Sequence, residues 1–168
     1  CRLQTRCASL ARIQRRLGRV TQIYEKVALI GLGLIAGSMG LAMKRAGLAT
    51  TIVGHAHTAK SRETALELGL VDAVFETAAE AVVDADWGVL CVPVGVMGAV
   101  AAQVGPALKA GATVSDVGSV KAKMIEMVGE HLSDNVHFVP AHPIAGTENS
   151  GPNAGFAELF DNKWTILT

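Results

Sequence analysis

The 168 residues carry 15 basic and 15 acidic side chains, for a formal net charge of zero, and half of the chain is hydrophobic. Balanced charge removes the electrostatic reason to expect nucleic acid as a partner, and no apolar run approaches a membrane span, so no membrane partner is expected either. Cys1, Cys7 and Cys91 are far apart and form neither a disulfide framework nor a metal-ligand spacing, which makes a reducing cytoplasm the expected compartment. Only 4% of residues are aromatic. The apolar mass is Ala, Val, Leu and Ile, which suits helices packed closely on a parallel sheet.

The chain opens with "CRLQTRCASLARIQRRLGR", which has six arginines and no acidic residue. It lacks the apolar core of a secretory signal. Residues 1–23 are read as a solvated basic tail or a non-native extension, and residues 24–168 as a nucleotide-binding domain. From there short apolar runs alternate with helical segments. "KVALIG" (26–31) reads as a first strand and is followed by a helix from about Ile35 to Ala46. "TTIVGH" (50–55) is a second strand, and residues 59–69 carry helical spacing with Gly69 as the stop. "DAVF" is a third strand before a helix over "TAAEAVVDA", and "WGVLCVP" (87–93) is a buried fourth strand ended by Pro93. A helix through "VMGAVAAQVGPAL", a fifth strand (112–118), an amphipathic helix (120–132) and a sixth strand "VHFVPA" (136–141) follow. "KWTILT" begins a seventh. Strands alternating with helices imply right-handed crossovers and a mostly parallel sheet, a Rossmann-type doubly wound α/β architecture.

The first strand-to-helix turn reads "GLGLIAGS". Gly31 permits the tight turn, Gly33 lets backbone approach a pyrophosphate, and Ala36 keeps the helix close to its strand. Leu34 and Ile35 open the helix whose N-terminus faces the anion. Val92 and Pro93, at the end of the fourth strand, are expected on the same cofactor edge. NAD and NADP both remain open. An NAD site usually carries a carboxylate at the end of the second strand, where this chain has His55, Ala56, His57 and Thr58. Ser61 and Arg62 begin the next helix and could receive a 2′-phosphate, which inclines the reading toward NADP, with His57, Thr58 and Arg62 as candidate cofactor contacts.

Ligands of such sheets lie outside the carboxyl ends of the strands. The "DVGSVK" loop (116–121) and "HPIAGTE" (142–148) follow strands on that edge, in the half expected to face a nicotinamide. A base at His142 would take a hydroxyl proton as hydride leaves the same carbon. His137 and His142 are not spaced like a zinc pair, no H-E-x-x-H occurs, and no metal is expected. Ser119 precedes a helix and could cap it. Lys121 and Lys123 read as solvated helix residues, although either could meet a phosphate or carboxylate. Asp116, Ser119 and His142 lack the G-x-S-x-G elbow of a hydrolase.

Together, "VALIGLGLIAGSMGLAMKRAG", "LCVPV", "VSDVGSVK" and "HPIAGTENSGPNAGFAELFDNKWTILT" resemble the prephenate/arogenate dehydrogenase family of tyrosine biosynthesis, from about Tyr24 to Thr168. The paired D-x-G-S-V-K and H-P-I-A-G-T-E motifs are more specific than the glycine turn. The resemblance implies NAD(P)-dependent oxidative decarboxylation of prephenate to 4-hydroxyphenylpyruvate, or of arogenate to tyrosine. By that likeness His142 is the catalytic histidine on the ring C4 hydroxyl, and Ser119 orients both it and the substrate. Thr147 and Glu148 match the mouth of the substrate pocket. The family's helical C-terminal domain, which builds a homodimer and supplies an arginine for the substrate carboxylate, is not found within these residues, so the isolated piece is expected to be inactive. Two rivals stand beside this reading, a β-hydroxyacid-type dehydrogenase and a non-catalytic module that only senses dinucleotide.

Overall fold

A computed structural model describes residues 22–168, and the expected basic tail lies outside them except for Gln22 and Ile23. Six strands form the main sheet: β1 (Tyr24–Ile30), β2 (Ala49–His55), β3 (Ala73–Phe75), β4 (Trp87–Leu90), β5 (Thr113–Asp116) and β6 (His137–Phe138). Their order is β3-β2-β1-β4-β5-β6 and every pairing is parallel. The connecting helices are α1 (Leu34–Ala46), α2 (Ala59–Glu67), α3 (Ala78–Val82), α4 (Met97–Val104) and α5 (Lys121–Gly129).

The centre of the sheet explains the continuous apolar runs. In β1, Val27 and Leu29 belong to a core shared with Ala36 and Met43 of α1 and Ala65 of α2. Ala28 and Ile30 join a second core with Ala81 and Val82 of α3, Met97 and Ala101 of α4, and Met124 of α5. Alternate side chains point to opposite faces and both faces are covered, so neither position tolerates a polar residue. Fully burying side chains such as Leu29 and Ile30 stabilises by about 1.5–3 kcal/mol each. This is the doubly wound sheet expected from the sequence.

The sixth strand departs from expectation. The run 136–141 is not one strand. β6 covers only His137–Phe138, and after Val139 donates to Val114 O at 2.8 Å the chain leaves the sheet. The next donor on that edge, Ala141 N, bonds the Asp116 carboxylate at 3.3 Å instead of a β5 carbonyl, so the ladder ends there. The next residues form β7 (Ala141–Pro143), paired antiparallel with β8 (Thr165–Leu167) in a separate ribbon. The expected seventh strand is therefore the partner of β7, not a member of the main sheet.

At the opposite edge of the sheet, Asp86 ties three strand starts together. Its carboxylate accepts from Glu25 N at 2.7 Å and Lys26 N at 3.0 Å, and Lys109 Nζ lies 2.5 Å from the other oxygen. The Lys109 hydrogen bond, with the backbone donors, holds the Asp86 carboxyl below the usual carboxylate range. A depressed carboxyl contributes stability that is complete above its unfolded value and is lost as pH falls through the folded one. Asp86→Ala should accordingly lower the unfolding free energy at pH 7 by ~1–2 kcal/mol, a charge-assisted network discounted for partial exposure. The gap between variant and wild type in urea titrations should shrink once the pH drops below 3.8, the ordinary carboxyl value.

Candidate functional site

The turn after β1 is wedged between two other strands. Gly31 has φ 98° and donates to His55 O at 2.8 Å, while a Cβ there would lie 2.5 Å from the Cys91 carbonyl oxygen. Only glycine satisfies both the left-handed backbone and the close approach to β4. Gly33 differs. It is the N-cap of α1 with extended backbone, no side chain caps the helix, its first turn has no acidic residue, and a Cβ would meet nothing within 4 Å. The first turn of this 13-residue helix is therefore uncapped by any side chain and lines open space at the positive end of its dipole. An anion such as the pyrophosphate of a dinucleotide fits that arrangement.

The turn lines a cleft of about 920 Å³, between the exits of β1, β2 and β4. That volume lies in the range of small-molecule and cofactor sites. Of the residues expected to hold cofactor, Gly31, Gly33, Leu34, Ile35, His57, Val92 and Pro93 line it, and Ser61 does too. Thr58 and Arg62 are not among its lining residues. The Thr58 hydroxyl accepts from Ser61 N at 3.1 Å to cap α2, and Arg62 Nη1 turns back to donate to Ala56 O at 2.8 Å. Desolvation at the β4 exit, and then the nearby Asp116 carboxylate, push the Cys91 thiol up to about 12. Its thiolate is accordingly disfavoured.

Sequence reasoning missed the fourth wall, Asn149–Pro152. These residues belong to an excursion from Ile144 to Trp164 that leaves β7, crosses α1 and returns as β8. Phe156 N donates to Ser38 Oγ at 3.1 Å, and a Cβ on Gly155 would come within 3.1 Å of Gly37 C. Arg45 bonds Glu158 Oε1 at 2.8 Å and Asp161 Oδ1 at 3.2 Å. The available signal was the turn-rich "NSGPNAG", where Gly151 has φ 81°. What that turn packs against is not local information.

His142 lies in the middle of β7, in register with Ile166, rather than in a free loop after the sixth strand. Its neighbours Ala141 and Pro143 line a second, apolar cavity of about 650 Å³ between α1 and the β7–β8 ribbon. Strand alternation points His142 away from them. Ser119 is exposed in the loop after β5 and does not cap α5, whose N-cap is Val120 without a side-chain bond. Thr147 and Glu148 are exposed at the start of the excursion, where Thr147 Oγ1 accepts from Asn149 N at 3.2 Å. None of these four lines the cleft at the α1 turn, but Val117 and Asn149, within two residues of Ser119 and Glu148, do. Lys121 is not solvated: it pairs with buried Asp116, whereas Lys123 pairs with Glu126 at the surface. Among the described residues no group of three or more His, Cys, Asp or Glu could hold a metal, and no helix is long and apolar enough to cross a membrane.

Residues 39–168 match the family model described as the nucleotide-binding domain of prephenate dehydrogenase. The chain belongs to the prephenate dehydrogenase family. It is 43% identical over 146 residues to the cyclohexadienyl dehydrogenase of Zymomonas mobilis, spanning 87% of this chain and 50% of that protein. It is 32% identical to the prephenate dehydrogenase of Bacillus subtilis, over 89% of this chain and 40% of that one. Among solved structures it superposes on Aquifex aeolicus prephenate dehydrogenase, in complex with hydroxyphenyl propionate and NAD+, with TM-score 0.78 and 31% identity over 86% of this chain and 50% of that one. Synechocystis arogenate dehydrogenase gives 0.77 and 30%, over 85% and 49%. The chain thus spans about half the length of the relatives it matches.

The two glycines separate folding from binding. Gly31→Ala should destabilise the fold by about 1–3 kcal/mol, the cost of a forced backbone conformation. Gly33→Ala should leave the melting temperature nearly unchanged yet weaken NAD(P)H binding, read by fluorescence titration, by about tenfold or more, or ~1.4 kcal/mol. Unaltered binding by Gly33→Ala would place the dinucleotide elsewhere.

Proposed function

We propose that residues 24–168 form the dinucleotide-binding half of an enzyme that oxidatively decarboxylates prephenate, arogenate or both. What supports the reading is the uncapped N-terminus of α1 on a cleft whose walls include Val117 and Asn149, within two residues of Ser119 and Glu148, and the tie of Ala141, next to His142, to Asp116 at the end of β5. A hydride acceptor, the nicotinamide, is supplied by the dinucleotide when bound. His142 bonds the ring C4 hydroxyl and holds its proton as hydride leaves C4. Oxidation makes C4 a carbonyl, and loss of the ring carboxylate as CO2 then leaves an aromatic phenol. Ser119 orients the imidazole and the substrate, and Thr147 and Glu148 stand at the mouth of the substrate pocket.

For the cofactor we take NADP over NAD. No carboxylate occurs among His55, Ala56, His57 and Thr58, and Ser61 reaches the cleft there. Arg62 Nη1 donates to the carbonyls of Ala56 and His57, which firms the end of β2 and leaves the other guanidinium donors for a 2′-phosphate. The substrate's carboxylates need a cationic partner, which we place outside this chain together with the surface that builds a homodimer. Neither nucleic acid nor membrane enters the proposal, and the compartment is the cytoplasm.

Three measurements test this reading. In the full-length enzyme His142→Asn should lower kcat by roughly 10²–10⁴, the usual worth of a positioned acid–base group, with KM far less affected. Wild-type turnover would remove His142 from the chemistry. Ser61→Ala should weaken NADP binding by about tenfold, on the scale of a hydrogen bond to a charged group, without touching NAD; a strong NAD preference in the wild type overturns the cofactor assignment. The 168-residue chain alone should bind NAD(P)H but not turn over prephenate, because alignment of hydride donor and acceptor requires both walls of the pocket. Robust turnover by the chain alone would show that its own residues complete the substrate site.

A further inference from the structure

Asp116 ends β5 with no exposed surface, one of three buried polar or charged residues among those described. Its Oδ2 accepts from Gly118 N at 2.8 Å and lies 2.5 Å from Lys121 Nζ, and its Oδ1 accepts from Ala141 N at 3.3 Å. Lys121 Nζ also donates to Ala141 O at 2.7 Å. Both backbone groups of Ala141, the residue before His142, are therefore taken by one side-chain ion pair.

Strand geometry explains why an ion pair is needed. In β7, His142 faces Ile166 of β8, and the residues bracketing the strand bond the same way: Thr168 N to Pro140 O at 3.1 Å and Ile144 N to Trp164 O at 2.8 Å. Backbone groups alternate between the two edges of a strand, so Ala141 presents its N–H and C=O to the other edge. There β7 has already left the main sheet, and no backbone of β5 is in register with it. The carboxylate and ammonium supply the acceptor and donor that a neighbouring strand would have offered. The same carboxylate folds the next loop through Gly118 N. A Cβ on Gly118 would come within 3.0 Å of Asp116 Oδ2 and of Met124 Sδ, so the loop is packed tight just before Ser119.

From this geometry we propose that Asp116 and Lys121 are positioning residues that set the spacing between Ser119 and His142, by clamping the Ser119 loop and the His142 strand to one carboxylate. The assignment rests on the proposed roles of Ser119 and His142. Neither clamp residue touches the reacting atoms. A half-buried lysine bridging two loops has a further consequence, that substrate affinity and catalytic rate separate when it is lost.

The test uses the full-length enzyme with Lys121→Met, which keeps most of the stem and removes the ammonium. Kd for NAD(P)H should stay within about twofold, because the α1 turn is untouched, while kcat should fall about 10–100-fold, the scale of a misplacement near 1 Å, with KM for prephenate much less changed. Lys121→Arg, which restores a donor and a charge, should recover part of the loss. Amide exchange measured on the same proteins should speed up at Gly118 and Ala141 but not in β1 or β4. Should Lys121→Met fail to fold, Asp116→Asn, of equal volume and with one acceptor oxygen retained, is expected to give the same split. Wild-type kcat in Lys121→Met, alongside a crippled His142→Asn, overturns the clamp and leaves the function standing. An active His142→Asn overturns the function instead, and the exchange result then decides alone whether the pair holds β7. A parallel rise in Kd for NAD(P)H and loss of protection throughout the sheet would mark the pair as a general fold element and refute the positioning role.

Discussion

The reversal of strand order at β1 is the constraint from which the rest of the molecule follows. β2 and β4 flank β1, and the chain leaves β1 and β4 toward helices on opposite faces. A crevice must open between those exits, because the two crossovers diverge there. Keeping the crevice narrow enough to be useful requires β1 and β4 to approach at their ends, and Gly31 against the Cys91 carbonyl is that approach. One missing side chain thus closes the sheet, while a second, at Gly33, leaves the helix terminus bare. The two glycines of the fingerprint do different physical work, although the sequence writes them alike.

Much of this was legible because it is local. A short V-A-L-I run closed by the Gly31 and Gly33 turn reads as a strand buried on both faces, with a bend within two residues. The failures are equally physical. Pro140 sits inside an apolar run that reads as one strand, and whether such a run bends depends on whether a neighbour waits on the far side. Lys121 looks like a helix-surface lysine until β5 and β7 are placed, since its two acceptors are 5 and 20 residues distant. Ser119 has the composition of a cap but sits one residue too early, before Val120. Arg62 has the charge for a phosphate, but that its Nη1 also bonds the carbonyls of Ala56 and His57 could not be read from its type. In each case the residue type was informative and the partner was not.

The excursion from Ile144 to Trp164 shows how a fold completes a site with chain that has no regular structure of its own. Its anchors are spread along α1: Ser38 and Gly37 near the start, Arg45 near the end. Exposed ion pairs such as Arg45–Glu158 contribute little each, so the tight Gly37–Gly155 contact and the Phe156 amide fix the path. Asn149–Pro152 are thereby held over the cleft. The cleft wall and the segment bearing Thr147 and Glu148 consequently share a single length of backbone.

A buried ion pair is an expensive way to join two segments, since desolvating the charges can cancel their attraction. An apolar pair of similar volume would serve stability as well or better, but it could not satisfy the free N–H and C=O of Ala141. Left unpaired in a half-buried strand, those groups would each cost on the order of 1–3 kcal/mol. A backbone neighbour could satisfy them only if β7 continued the main sheet, and then its side chains would stand in line with β6. His142 would lose the orientation that the separate ribbon gives it. The ion pair is what allows β7 to turn away from the sheet and still be held, one residue before His142, to the end of β5.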